Sequence, residues 1–487
     1  MAGGQRVLAP GLEIGDFTLK ERIFAGGMGA IWRAERTEPA AFPADETAIV
    51  LKIPFISAGS DVAAIVAFEI EEMVMKRLCG PHVPKVYATG DLSDVPFIAM
   101  EFVDGRPLTD IMREAPLAAA EVLRIGRLLT RAVADIHRQH VIHLDLKPGN
   151  VIIAKRGAVL IDFGLARHDE LPDLIGEETR LPVGSAAYMA PEQTLGDRAR
   201  PASDLFAIGA MLFELATAEL PFGVPVTTHG LKQRTEIDLG TLALKLAAVP
   251  AGLREIILRC LEPKPADRYP SADQLLFDLN YPDQVAVTER VAKQPKRWHE
   301  RLTEWWAKPP PERPDKQANL AQQLARAPVI LAAVDLSHGA DPLAEAVRLH
   351  VRRALEAEPY ARLACLTVLK SKMLGEDPLH DADGRSLYHG RLVALKEWAR
   401  PFQTQDDTIS YHVLEGVDAA AAILDYAGHN GIDHIVMGAR SSSVFRRHLG
   451  SVSAKVVAGA PCSVTVVRLR LGGVQDIAEE PAEAESP

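Results

Sequence analysis

The spacing of apolar positions divides the chain into two stretches of different character with a polar, Pro-rich stretch between them. Near the start, F-T-L-K-E-R-I and A-I-W-R-A-E alternate on either side of a cluster of Gly26, Gly27 and Gly29, which predicts a hairpin. Glu38 to Glu46 reads as a long loop. Ala48–Ile53 reads as a buried strand broken only by Lys52, and residues 61–78 have helical spacing. Val95–Val103 is another apolar strand. From Leu108 to Gln139 the pattern is helical, and a last helical run ends near Asp278 and Leu279. After Pro328 the pattern changes to strands alternating with helices: V-I-L-A-A-V-D-L-S, a helix to about Ala357, R-L-A-C-L-T-V-L, a helix through K-E-W-A, I-S-Y-H-V-L, a helix through I-L-D-Y-A, H-I-V-M-G, a helix from Ser451, and S-V-T-V-V-R-L. That order predicts an α/β doubly wound parallel sheet. The first stretch, strands followed by helices, predicts an α+β unit.

A length of 487 residues corresponds to about two to four domains. With 47% hydrophobic and 24% charged residues the chain is of ordinary globular composition. The net charge of −11 argues against a nucleic-acid-binding surface. Cys79, Cys260, Cys365 and Cys462 have no metal-ligand spacing and read as thiols of a reducing compartment. The first residues lack an apolar signal core and no apolar run approaches about 18 residues, so a cytoplasmic protein without a transmembrane segment is expected.

Candidate chemistry concentrates in V-I-H-L-D-L-K-P-G-N, Val141 to Asn150. One short loop carries an Asp, a Lys and an Asn. Phosphoryl transfer needs a carboxylate to orient a hydroxyl and take its proton, an ammonium beside the moving phosphoryl group, and an amide oxygen to help hold Mg²⁺. Asp145, Lys147 and Asn150 fit those roles. Asp162-Phe163-Gly164 follows, a second acidic metal ligand and then a Gly that lets the chain turn. The two motifs in this order resemble the catalytic core of a protein kinase.

That resemblance covers residues 16–280 and implies a bilobal α+β kinase fold. It implies that Lys52 grips the nucleotide phosphates, where the competing reading is an edge-strand Lys in solvent. It implies that Glu71 pairs with Lys52, although Glu69 and Glu72 compete for that place on the helix. Gly26, Gly27 and Gly29 would cover ATP phosphates, with Phe24 standing where the family has its first loop Gly. Ile23, Ile31, Val50 and Ile152 would sandwich the base, and the backbone at Glu101 and Val103 would bond it. Met100 would guard the inner pocket. Asn150 and Asp162 would hold Mg²⁺. Glu192 and Arg268 match a buried ion pair of the large lobe, and Asp204 matches a residue that holds the catalytic loop.

One departure is informative. Leu144 stands where many kinases have an Arg that meets a phosphorylated activation segment, and Leu cannot pair with phosphate. Between Asp162 and Glu192 only Thr179, Ser185 and Tyr188 carry hydroxyls. Ser185, in G-S-A-A-Y-M-A-P-E, would touch Asp145 and Lys147, which leaves Thr179 as the autophosphorylation candidate.

Residues 281–326 form a Pro/Trp-rich linker in which Trp298, Leu302, Trp305 and Trp306 share a helical face. A stripe docked on a neighbouring domain and a membrane-surface helix are both open readings. Asp335, I-V-M-G-A-R, L-G-S-V-S and A-P-C-S-V-T-V-V-R resemble the universal stress protein family, over residues 327–470. Its phosphate-binding G-x-x-G spacing is altered, with Ser441 in place of the second Gly and Gly450-Ser451 one residue early. Dimerisation or partner docking is the alternative use of this domain. Residues 471–487 read as an acidic, disordered tail. The joint expectation is a Ser/Thr protein kinase acting with ATP and Mg²⁺ on protein substrates in stress signalling, with a homodimer through the second domain. The rival is a pseudokinase scaffold.

Overall fold

The computed structural model describes residues 8–26, 29–37, 48–55, 62–90, 95–178, 183–223, 238–292, 327–337, 341–370, 386–402, 409–439 and 451–469. Gly27, the loop of residues 38–46, Thr179, the linker tryptophans, Ser441, Gly450 and the acidic tail lie outside them. The chain divides into two compact units, whose main blocks are Met1–Ala325 and, for the second, Arg326–Asp377 with Ile409–Pro487.

The first unit begins with β1 (Glu13–Ile14), β2 (Phe17–Ala25), β3 (Gly29–Arg36) and β4 (Ile49–Pro54), then α1 (Val62–Arg77), β5 (Val86–Gly90) and β6 (Phe97–Glu101). The strands form one antiparallel sheet in the order β1-β2-β3-β4-β6-β5. The period of two sorts β4 cleanly. Ile49, Leu51 and Ile53 enter one apolar cluster with Phe17, Trp32 and Phe97. Val50 enters the cluster that contains α1, and Lys52 shares its face. Alternation alone therefore turns Lys52 inward.

After β7 (Gly105–Pro107), the continuous helical pattern expected over Leu108–Gln139 is two helices, α2 (Leu108–Met112) and α3 (Ala119–Arg138). Pro116 accounts for the break, since it has no N–H and disfavours helical backbone in the residue before it. Next come β8 (Val141–Ile142), β9 (Val151–Ala154), β10 (Gly157–Leu160), β11 (Arg167–His168), α4 (Leu174–Glu178) and α5 (Ala202–Thr217). Twelve of the sixteen α5 residues are buried, among them Phe206, Ile208 and Leu212, so α5 is the core helix of this lobe. Helices Ala251–Cys260 and Ala272–Asn280 pack against α5 and α3.

The first residues assigned to the linker continue this unit. Helix Glu289–Ala292 is tied to helix Ala251–Cys260 by Arg290, which reaches Glu255 at 2.9 Å and Glu262 at 2.6 Å.

The second unit holds β12 (Val329–Ala333), β13 (Arg362–Lys370), β14 (Ile409–Gly416), β15 (His434–Gly438) and β16 (Ser463–Val467). They form a parallel sheet in the order β14-β13-β12-β15-β16. Both faces are apolar, as a sheet covered on both sides requires. Ile330, Ala332, Leu363 and Cys365 pack with Val347, Val351 and Trp398 on one side, and Leu331, Ala364 and Leu366 pack with Ile423, Tyr426 and Val456 on the other. Burial pushes the Cys365 thiol far above the usual range, so it stays protonated. No helix among the described residues is long and apolar enough to cross a membrane.

Candidate active site

Lys52 and Asp162 lie 110 residues apart and meet at Nζ–Oδ1 2.8 Å. Lys52 Nζ also reaches Glu71 at 2.6 and 2.7 Å. Of the three acids on α1, it is thus Glu71, 2% exposed, that faces Lys52. Glu72 is one residue, about 100° of helix, further round, and there it accepts from Lys76 at 2.8 Å. Burial works to lower the Lys52 pKa, but Glu71 and Asp162 outweigh it and hold the ammonium above the ordinary lysine range. Burial raises the Glu71 carboxyl. Asp162 is held below the usual carboxylate range, because Lys52 and then Lys147 outweigh its desolvation.

The second cluster grows from the β9–β10 hairpin. Val151 pairs with Leu160, and Ile161 N–H donates to Asn150 O at 2.9 Å. Asn150 and Asp162 therefore flank the open end of one hairpin although eleven residues intervene. Asn150 Nδ2 donates to Asp145 O at 2.9 Å and to Oδ2 at 3.3 Å. Lys147 Nζ meets the same Oδ2 at 2.7 Å. The Ser185 contact with Asp145 is made by backbone, its N–H donating to Oδ1 at 2.7 Å. Carboxylate and amide oxygens are the hard donors that suit a small divalent cation.

Two residues of this region sit in left-handed backbone without being Gly: Leu144 (φ 61°) and Asp162 (φ 67°). Such strain, about 1–3 kcal/mol each, persists only where the surroundings impose it. At Leu144 they do. Asp204 Oδ1 accepts Leu144 N–H and Oδ2 accepts His143 N–H, both at 2.9 Å, while Gln193 Nε2 donates to Leu144 O at 2.8 Å. Burial opposes the charge on Asp204, but donation from His137 at 2.9 Å and from His143 outweighs it and keeps its carboxyl below the usual range. Gly164 sits in the turn expected of it, with Leu165 beside it at the centre and Ala166 N–H donating to Phe163 O at 3.0 Å to close it. Gly164 also serves close approach: a Cβ there would lie 3.2 Å from the Ala67 carbonyl on α1. Gly29 is likewise explained by packing, since a Cβ would lie 2.6 Å from Ile53 O on the neighbouring strand.

Of the nucleotide candidates, Val50 is buried and Ile31 packs against its cluster, which also contains Met100. Ile152 is half-buried beside Gly105, Val103 is buried, and Ile23 on β2 is 43% exposed. Gly26 N–H donates to Gly29 O at 2.9 Å, which closes the β2–β3 turn. Glu101 ends β6, and its carboxylate is held by a fork from Arg156 at 2.5 and 2.9 Å. Arg156, Gln193 and Arg198, which grips the stretch after Asp162, carry no signal in the sequence. Each acts by meeting residues distant along the chain, and no local pattern reveals that.

Residues 47–278 match the family model described as protein kinase domain, and residues 328–468 match that of the universal stress protein family. The first region is similar to a probable serine/threonine-protein kinase PknB of Lactococcus lactis, 31% identical over 54% of this chain and 41% of the relative. It is 32% identical to the serine/threonine-protein kinase PkaA of Streptomyces coelicolor, over 54% of this chain and 49% of that one. It is 29% identical to the serine/threonine-protein kinase PrkC of Bacillus subtilis, over 54% and 40%. The chain thus spans less than half the length of these relatives. The crystal structure of the Mycobacterium tuberculosis PknI kinase domain aligns with 56% of this chain and 99% of its own at a TM-score of 0.42 and 23% identity.

Proposed function

With a protein kinase domain at residues 47–278 and a universal stress protein domain at 328–468 in one chain, we propose that it transfers the γ-phosphoryl group of ATP to Ser or Thr hydroxyls of proteins in a stress response. The proposed domain limits are 16–280 and 327–470. The observation that carries the reading is the meeting of Lys52 with both Glu71 and Asp162, each within 2.8 Å of its ammonium, beside a loop in which Lys147 and Asn150 both bond Asp145.

In this reading Lys52, steadied by Glu71, binds the nucleotide phosphates. Ile31, Val50 and Ile152 contact the base, with the backbone of Glu101 and Val103 at its edge, and Ile23, Gly26, Gly27 and Gly29 cover it. Asp145 orients the acceptor hydroxyl and takes its proton as the oxygen bonds the γ-phosphorus and ADP departs. Lys147 neutralises charge on the group in flight. Asp162 and Asn150 are the proposed Mg²⁺ ligands, and a bound Mg²⁺ would offset the phosphate charge. The test is phosphate incorporation from labelled ATP into matched Ser, Thr and Tyr peptides. Incorporation into Ser and Thr peptides that stops on chelation of divalent metal is expected; incorporation confined to Tyr, or none, refutes the assignment.

Leu144 adds a second expectation. With no cation at this place to receive a phosphate, Thr179→Ala should retain at least about half of wild-type turnover. A fall of tenfold or more in initial rate would show that a phosphorylated Thr179 is needed after all.

A further inference from the structure

The stretch after Asp162 needs an anchor, and the catalytic loop offers Leu144 where a cation could have served. We propose that Arg198 supplies it as a positioning residue: with Asp173 it forms a fixed-charge clamp that holds this stretch without any phosphate. The proposal rests on the kinase reading above. Arg198 is 10% exposed at its side chain and comes from the loop that precedes α5. Its Nε donates to Asp173 Oδ1 at 3.0 Å and Oδ2 at 3.2 Å, and its Nη2 donates to Leu165 O at 2.9 Å. Leu165 lies three residues after Asp162, so one planar guanidinium spans the start of the stretch and a point eight residues on.

Asp173 carries the hold further. Its Oδ1 accepts Gly176 N–H at 3.2 Å and its carbonyl accepts Glu177 N–H at 2.8 Å, which sets the first turn of α4. Leu174 and Ile175 of α4 are buried in the same apolar cluster as Val66, Phe68 and Ile70 of α1, the helix that bears Glu71. One clamp therefore links the backbone after Asp162 to α4, and through packing to the partner of Lys52. The adjacent charges do not compete, because Asp197 and Arg200 bond each other at 2.5 Å. A lysine would reproduce the grip only in part, since its single nitrogen replaces the two fixed donors, Nε and Nη2, that the guanidinium places on Asp173 and Leu165.

The experiment compares full-length wild type with Arg198→Ala, Arg198→Lys, Asp173→Asn, Asp173→Ala and the Arg198→Ala/Asp173→Ala double variant. Turnover, KM for ATP and amide exchange over residues 165–178 are the readouts. Arg198→Ala should lower kcat by about tenfold or more, with KM for ATP moving by less than about threefold. The double variant should be no worse than the poorer single one, Arg198→Lys should recover part of the loss, and exchange over 165–178 should rise. Turnover within about twofold of wild type, losses that multiply in the double variant, or unchanged exchange would each overturn the clamp. If Arg198→Ala does not fold, Asp173→Asn decides by the same thresholds, because it keeps the cap on α4 and removes only the charge. A wild type that transfers no phosphate while the variants still gain exchange would retract the kinase reading and leave the clamp.

Discussion

Asp145→Asn should lower phosphoryl transfer by about 10²–10⁴-fold, the range that a positioned general base contributes. The substitution nearly preserves volume, and the remaining side-chain oxygen can still accept Ser185 N–H, which lies 2.7 Å from Oδ1. What goes is the proton acceptor and the charge facing Lys147 at 2.7 Å. The buried scaffold does not depend on that charge. Leu144 is held by Asp204 and Gln193 and the hairpin by its own ladder, so the unfolding temperature should hardly move. Initial rates with a Ser peptide, read beside thermal unfolding, separate the two effects. Transfer within about tenfold of wild type in a folded Asp145→Asn protein would remove Asp145 from the chemistry, and a wild type that itself transfers nothing would point to a scaffold.

The second large effect is on stability. Arg268 has no exposed side-chain surface and grips Glu192 with two bonds, at 2.7 and 2.8 Å. It also donates to Glu262 O, Ala202 O and Pro263 O, and its guanidinium stacks over Phe206 at 4.8 Å. Arg268→Ala strands a buried carboxylate and three carbonyls. Removing one partner of such a pair costs about 3–5 kcal/mol, or roughly 6–20 °C in the first unit's unfolding temperature. Glu192 would keep its bond from the Ser203 hydroxyl at 2.6 Å, and a neutral donor is too little to compensate a charge. Replacing both Arg268 and Glu192 by Met should recover part of the loss, since an apolar pair leaves no stranded charge. Calorimetry that found Arg268→Ala within about 1 kcal/mol of wild type would mean that water reaches Glu192 in solution.

Much of the site could be read from local order. Lys52 stands out because an ammonium inside I-V-L-K-I is unfavourable unless something binds it. Asp145, Lys147 and Asn150 lie within six residues of one another, so one loop had to bring them close. The two-sided apolar pattern of β12 and β13 left only a sheet covered on both faces. Two glycines carry a packing role that local order does not reveal. Gly164 makes the turn expected of it, and both Gly29 and Gly164 in addition let neighbouring backbone approach closely. The unusual dihedral fell on Asp162, a residue type that tolerates left-handed backbone better than most but does not by itself mark where it occurs.

The chain's sequence by itself determined which chemistry was on hand and which secondary structure carried it, because residue type and a period of 2 or 3.6 are properties of a residue and its near neighbours. Only the tertiary structure decided that Glu71, not Glu69 or Glu72, meets Lys52, that Asp204 and Gln193 impose left-handed backbone on Leu144, and that Arg198 reaches Asp173 and Leu165. Those outcomes depend on how far a helix is rotated in its packing and on which distant loops become neighbours. Many contacts far apart in the chain set both at once, and no short window of residues contains them.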